Sequence, residues 1–251
     1  MIANLLPDTI APLSAALLVF ASFFTSLLTA SFGIGGGLML LSIMTYVVPI
    51  SALIPVHGAV QFGSNSGRAI LQRHSIAWPE LAAFLAGGVI GALAGARLVV
   101  DLPSALLQGG LGLFVLAITW IRPPKMARMG LGLVALTGAI TTFLAMFFGA
   151  TGPLNAAAFE KSFPDRRQMV ATLAALMATQ HVLKIVAFAT AGFAFSEWLP
   201  LILAMMVTGF AGTRVGLVIL GRIEEKTFRF GLKLVLTVIA LDLIRRGWMA
   251  N

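Results

Sequence analysis

The stretch SFGIGGGLML, residues 31–40, carries four glycines within the five positions 33–37, inside a long apolar run. Glycine is a poor helix former, so this composition favours an interruption of a helix over its continuation. A related pattern, FFGATGPLNAAAF, occupies residues 147–159. The sequence therefore predicts two broken helices, one in each half of the chain. The alternative is that these glycines only allow neighbouring helices to pack closely.

The composition points to a membrane protein. Of the 251 residues, 59% are hydrophobic and 10% are charged, whereas a soluble domain is about 45–50% apolar and about 25% charged. Apolar stretches near the roughly 20 residues that span a bilayer recur along the chain. We therefore expect an all-α polytopic membrane protein, a single integral domain over residues 1–251 that has the lipid bilayer as a partner.

Apolar runs divide the chain into segments. Counting those long enough to cross or enter the bilayer predicts about eight to ten transmembrane segments, with short segments at 38–48 and 153–163 that either span or re-enter. Pro49 and Pro55 are expected to bracket a turn. The predicted segments are 11–31, 38–48, 56–72, 79–100, 104–120, 130–148, 153–163, 169–190, 198–220 and 229–244.

The two halves of the chain resemble each other. Gly33 and Gly36 lie 116 positions before Gly149 and Gly152, and Gly95-Ala96-Arg97 lies 117 positions before Gly212-Thr213-Arg214. These matches predict internal repeats at 8–121 and 129–246, joined by a basic linker at 122–128. Because each repeat holds five segments, an odd number, we expect the two repeats to have inverted orientations.

The basic residues are distributed unevenly along the chain. The net charge is +8, and most of the Lys and Arg residues fall in short loops, where the positive-inside rule places them. This distribution predicts that the N- and C-termini lie outside, and it argues against nucleic acid as a partner. The chain has no cysteine, which excludes disulfides and thiolate metal sites.

Each predicted break leaves a helix N-terminus inside the membrane. Free backbone N–H groups and the positive end of the helix dipole at such a terminus favour an anion. We therefore expect a substrate-binding site built in part from the residues of the two breaks. These candidates are Gly33, Gly35, Gly36, Gly37, Gly149, Thr151, Gly152 and Asn155.

A polar stripe supplies the other candidates. His57, Gln61, Asn65 and Arg68 recur at helical spacing on one segment, and Gln180, His181 and Lys184 lie on its counterpart in the second half. A cation inside a membrane costs roughly 2.5–3.5 kcal/mol, so it generally faces a functional interior. Arg68 could instead extend its side chain to the interface, and the histidines could be structural.

The acidic residues lie in loops or near helix ends, so the predicted interior is cationic and rich in amides. We therefore expect a small anionic substrate, with no cofactor and no metal site. If protons are coupled to transport, His57 or His181 is the available titrating group. No arrangement of Ser, His and Asp indicates an enzyme, and the sequence carries no pattern that defines an oligomeric state.

The chain resembles the sulfite exporter TauE/SafE family, also called the toluene-sulfonate uptake permease group. The resemblance rests on TASFGIGGGLML followed by VVPIS, on GSNSGRAI, on the pair GALAGARL and GFAGTRVG, and on the repeat. It implies a multi-pass carrier of the bacterial inner membrane for sulfite, thiosulfate or organosulfonates. The expected mechanism is secondary transport by alternating access. An anion channel and a transporter for a non-sulfur organic anion are the alternatives.

Overall fold

The computed structural model describes residues 6–7, 9–32, 35–99, 103–121, 128–163, 165–219 and 225–249. This part of the chain is built from α-helices, with one short 3-10 turn and no β-strand, which confirms the predicted all-α class. The helices are α1 Pro12–Phe32, α2 Gly36–Met44, α3 Ile50–Leu71, α4 Trp78–Val99, α5 Ser104–Trp120, α6 Leu131–Phe148, α7 Gly152–Phe159, α8 Arg166–Thr190, α9 Phe195–Ile219 and α10 Glu225–Met249.

Five of these helices, α1, α4, α6, α8 and α9, are long and apolar enough to cross a membrane. This finding confirms a polytopic membrane protein. Helices α3 and α10, with 22 and 25 residues, reach the same length but lack a continuous stretch as apolar as those of the five. By contrast, α2 and α7 have 9 and 8 residues. At 1.5 Å per residue each covers only about 13 Å, which is less than half of the roughly 30 Å hydrocarbon core.

The two short helices follow glycine breaks, as predicted. Helix α1 ends at Phe32 and α2 begins at Gly36, after Gly35 with a φ of 100°. Helix α6 ends at Phe148, and the next residue, Gly149, has a φ of 71°. L-amino acids with side chains rarely adopt such angles, so glycine is required at both positions. Gly33, the first predicted member of the first break, lies outside the described residues.

The structure corrects the predicted turn between Pro49 and Pro55. Pro49 does precede α3, but Pro55 lies inside this helix. Proline has no N–H to donate to the carbonyl of Ser51 and disfavours a helix interior. Tertiary packing overrides this local preference, because Leu53 and Val56 on either side of Pro55 are fully buried in the largest apolar cluster.

Close helix packing explains glycines outside the breaks. The helices pack mainly in the pairs α1–α9, α4–α6, α3–α8 and α5–α10. A Cβ on Gly91 would collide with the carbonyl oxygen of Ala139 in α6, and one on Gly212 would collide with that of Phe23 in α1. These glycines let two backbones approach at a distance that no side chain allows.

The packing contacts follow an exchange of the two halves. If each helix is replaced by its counterpart in the other half, five helices further on or further back, the pair α1–α9 becomes α6–α4. The pairs α3–α8 and α5–α10 are each converted into themselves. Phe23 and Ala139, which occupy equivalent places in these contacts, are 116 positions apart. Gly91 and Gly212, the other partners in these contacts, are 121 positions apart. The sequence match between α4 and α9 has an offset of 117 positions, so the equivalent contact in α9 lies four residues, or about one helical turn, further along the chain.

We expect Gly91→Ala to destabilise the protein by about 1–3 kcal/mol, because the added methyl group overpacks the contact between α4 and α6. Gly132 is the matched control, since a Cβ there meets nothing within 4 Å. Gly132→Ala should be neutral or slightly stabilising, because alanine favours the helix. Thermal unfolding of the purified variants measures the difference. Equal melting temperatures would contradict the packing role of Gly91.

Candidate functional site

A cavity of about 100 Å³ lies where α1, α2, α3, α7 and α8 meet. We call it the central cavity. Eight of the residues that we predicted for the binding site line it, and they come from both halves of the chain. They are Gly35, Gly37, His57, Gln61, Asn65, Arg68, Gly152 and His181.

Both short helices direct their N-terminal ends to this cavity. Gly37 and Leu38 line it from the first turn of α2, and Gly152 and Pro153 line it from the first turn of α7. The first backbone bond into α2 runs from the N–H of Met39 to the carbonyl of Gly35, so the preceding N–H groups have no partner within the helix. Neither helix has a side-chain hydrogen bond at its N-cap.

The polar stripe of α3 forms one wall of the central cavity. Arg68 donates from Nη2 to Oδ1 of Asn65 at 2.7 Å, and Asn65 donates from Nδ2 to the backbone carbonyl of Gln61 at 2.8 Å. The guanidinium is thereby held beside the cavity. Its Nε is buried and has no hydrogen-bond partner among the described residues.

Two imidazoles, one from α3 and one from α8, line the cavity side by side. His57 and His181 have ring centroids 6.2 Å apart and nearly perpendicular planes. His57 Nε2 lies 2.9 Å from the carbonyl oxygen of Gly37, and because a carbonyl only accepts, this nitrogen carries the proton. Nδ1 of each ring is buried without a partner in the described part of the chain. Such groups are costly unless a ligand or water completes their hydrogen bonding.

Three predicted polar residues lie behind the cavity instead of lining it. Thr151 donates from Oγ1 to Oε1 of Gln180 at 2.7 Å, and the Gln180 amide nitrogen donates to the hydroxyls of Thr141 and Thr142 on α6. Gln180 therefore braces the second break against α6 and α8. Asn155 is fully buried and donates to the sulfur of Met177 at 3.2 Å, while its Oδ1 has no partner in the described residues.

Lys184 also lies behind the cavity wall. It is fully buried, and its Nζ donates to the carbonyl oxygen of Gly149 at 2.8 Å. Gly149 caps the C-terminal end of α6, where carbonyls lack helical partners and the helix dipole favours a cation. Gly36 does not line the cavity either, because it packs closely on Thr25 and Thr29 of α1.

Apolar residues of α8 complete the cavity, and the sequence interpretation missed them. Leu173 lines it two turns before His181, and Met177 lines it one turn before His181. Apolar residues in an apolar helix carry no functional signal of their own. The repeat could have identified these two, because they lie 116 positions after His57 and Gln61.

The charges of the site favour an anion. Arg68 is the cation that lines the central cavity, and none of its lining residues is Asp or Glu. Within the described ranges no group of three or more His, Asp or Glu residues could hold a metal ion. Helix N-termini, a guanidinium and amide groups are the donors that oxyanions accept.

Comparison with known proteins identifies the family. The family model Sulfite exporter TauE/SafE matches residues 18–243, which include every residue that lines the central cavity. Comparisons with curated proteins and with solved structures give no match. The matched range, the multi-pass helical fold and the two glycine breaks agree with one another, and the chain belongs to the sulfite exporter TauE/SafE family of membrane transporters.

Proposed function

We propose that the protein is a secondary transporter of a small sulfur-containing oxyanion of the sulfite type. The observation that carries this proposal is the central cavity, where two helix N-termini and Arg68 converge without a carboxylate in the lining. Family membership supports the same class of substrate.

The cavity offers donors of two kinds to the oxygens of an anion. Backbone N–H groups come from Gly37 and Leu38 on one side and from Gly152 on the other. Pro153 has no N–H, so the second helix end provides fewer donors than the first. Arg68 and the amides of Gln61 and Asn65 add side-chain donors, and the guanidinium supplies charge-assisted bonds.

The size of the cavity favours an inorganic oxyanion. Its volume of about 100 Å³ is smaller than an engineered cavity of about 150 Å³ that holds benzene. An arenesulfonate therefore exceeds the space in this conformation, whereas sulfite, with four heavy atoms, does not. A compact organic anion without sulfur is the second candidate, since it meets the same donors.

We further propose that residues 8–121 and 129–246 are inverted repeats and that alternating access arises from the movement of one repeat against the other. The exchange of contacts between α1–α9 and α4–α6 supports this arrangement. In the same proposal the termini lie outside a bacterial inner membrane. Coupling to protons would use His57 or His181. An anion channel is the alternative mechanism, and single-channel currents instead of saturable counterflow would identify it.

We expect Arg68→Gln to weaken sulfite binding by about 10–100-fold, the equivalent of one lost charged hydrogen bond of about 1.5–3 kcal/mol. Arg97→Gln is the matched control, because Arg97 is exposed in the last turn of α4. Equilibrium binding of sulfite to the purified variants measures both constants. An unchanged affinity in Arg68→Gln would remove this guanidinium from the site.

We expect Gly152→Leu to abolish sulfite binding without lowering the melting temperature. A Cβ at Gly152 meets no atom within 4 Å, and this residue lines the cavity, so the new side chain occupies the space of the anion. Gly132→Leu, which also adds a side chain in open space, should leave binding intact. Normal binding by Gly152→Leu would show that the anion is bound elsewhere.

A further inference from the structure

A second cavity lies along the same two helices as the central cavity. It has a volume of about 340 Å³, and its lining includes Ser51 and Ile54 of α3, Ser104 of α5 and Phe188 of α8. The central cavity instead uses residues 57–68 of α3 and 170–181 of α8. Because α3 is at its beginning where α8 is at its end, the two cavities lie at opposite ends of this helix pair.

The linings of the two cavities come close to each other along α3. Pro55 lines the second cavity and His57 lines the central cavity, so Val56 alone separates them along the chain. These two lining residues are two positions apart, which corresponds to about 3 Å of helix rise. On α8 the corresponding gap runs from His181 to Phe188, and Lys184 lies near its middle.

Lys184 fills the partition between the two cavities. A Cβ on Gly58 would lie 3.4 Å from Cε of Lys184, so this side chain crosses α3 one residue beyond His57. Its ammonium then reaches the carbonyl of Gly149 at 2.8 Å. No other hydrogen bond or ion pair of this ammonium occurs within the described residues.

The Gly149 side of the partition is closed by apolar contacts. A Cβ on Gly149 would lie 3.0 Å from Cδ1 of Ile54 and 3.1 Å from Cδ2 of Leu41. Ile54 lines the second cavity, and Ala150, the residue after Gly149, lines the central cavity. The bond between Lys184 and Gly149 therefore joins α8 to the second break at the boundary between the cavities.

We propose that the two cavities are successive parts of one transport route and that Lys184 is the gate between them, released from Gly149 when an anion occupies the central cavity. This inference rests on the proposed function. It assigns Lys184 a positioning role that differs from direct binding of the substrate, because Lys184 does not line the cavity in the closed state.

Electrostatics provides the reason for release. In the closed state the ammonium is bound to a neutral carbonyl, and a full negative charge at a similar distance attracts an ammonium more strongly than a carbonyl dipole does. Lys184 lies one helical turn from His181, which lines the central cavity, so an oxyanion bound there places a counter-charge close to the ammonium. When the ammonium turns toward the anion, the bond that joins α8 to Gly149 is lost and the partition opens.

Cysteine labelling tests the partition directly, because the chain contains no cysteine. We place single reporters at Ala174→Cys in the central cavity and Ser104→Cys in the second cavity. A small impermeant methanethiosulfonate is added to one face of oriented proteoliposomes at a time. Without sulfite, we expect each reporter to react from one face only. Adding Lys184→Ala should allow both reporters to react from either face, because the gate is removed.

Lys184→Met tests the release step while keeping the partition filled. We expect this variant to retain one-sided labelling. We also expect it to bind sulfite within about tenfold of the wild-type affinity, a change toward the low end of the affinity changes that coupled sites produce in each other. Sulfite counterflow should be lost, because methionine has no charge to follow the anion. Lys233→Met is the control, since Lys233 lies on α10 over the ring of Trp120.

Each result separates the gate from the proposed function. One-sided labelling of folded Lys184→Ala, or wild-type counterflow by Lys184→Met, would overturn the gate. Complete loss of sulfite binding in Lys184→Met would overturn it as well, because Lys184 would then be a direct ligand. If wild-type protein does not bind sulfite, the proposed substrate is wrong, while labelling from both faces in Lys184→Ala still supports the gate.

Discussion

A helix that ends in the interior of a protein must find partners for its terminal backbone groups, and much of the architecture of this protein follows from that constraint. At the second break, the terminal carbonyl of Gly149 receives the buried ammonium of Lys184. At the first break, the N–H groups at the start of α2 face the central cavity, where no side chain caps them. The need of helix ends for hydrogen-bond partners thus explains both the buried ammonium of Lys184 and the free N–H groups of α2 that are available to an anion.

The two breaks also explain why residues with different surroundings belong to one site. Arg68 and Asn65 hold each other at the cavity wall. Both ends of the Gln180 amide are instead hydrogen-bonded to threonines, two in α6 and one immediately before α7. Arg68 and Asn65 are available to a ligand. Gln180 fixes the position of the N-terminal end of α7, which a ligand approaches. Both roles are needed, because an anion site depends on donors that remain in place before the ligand arrives.

Much of this arrangement could be predicted from the sequence, because glycine clusters and polar residues are conspicuous in an apolar chain. The breaks after Phe32 and Phe148 and the stripe from His57 to Arg68 were identified in this way. Residues whose roles depend on packing were not identified. Pro55 lies inside α3 against its local preference, and Met177 carries no signal apart from its repeat position. The bond of Lys184 to Gly149 depends on the approach of α8 to the end of α6, which no periodicity defines.

The central claim is that the cavity between the two helix breaks binds a small oxyanion. Thermal unfolding of the purified protein, with sulfite, sulfate, thiosulfate, taurine, chloride and organic cations added separately, tests it most directly. A ligand at about 100 times its dissociation constant stabilises the folded state by about 2.7 kcal/mol. We expect at least one sulfur oxyanion to raise the melting temperature, and we expect the organic cations to leave it unchanged. Stabilisation by organic cations alone would contradict it.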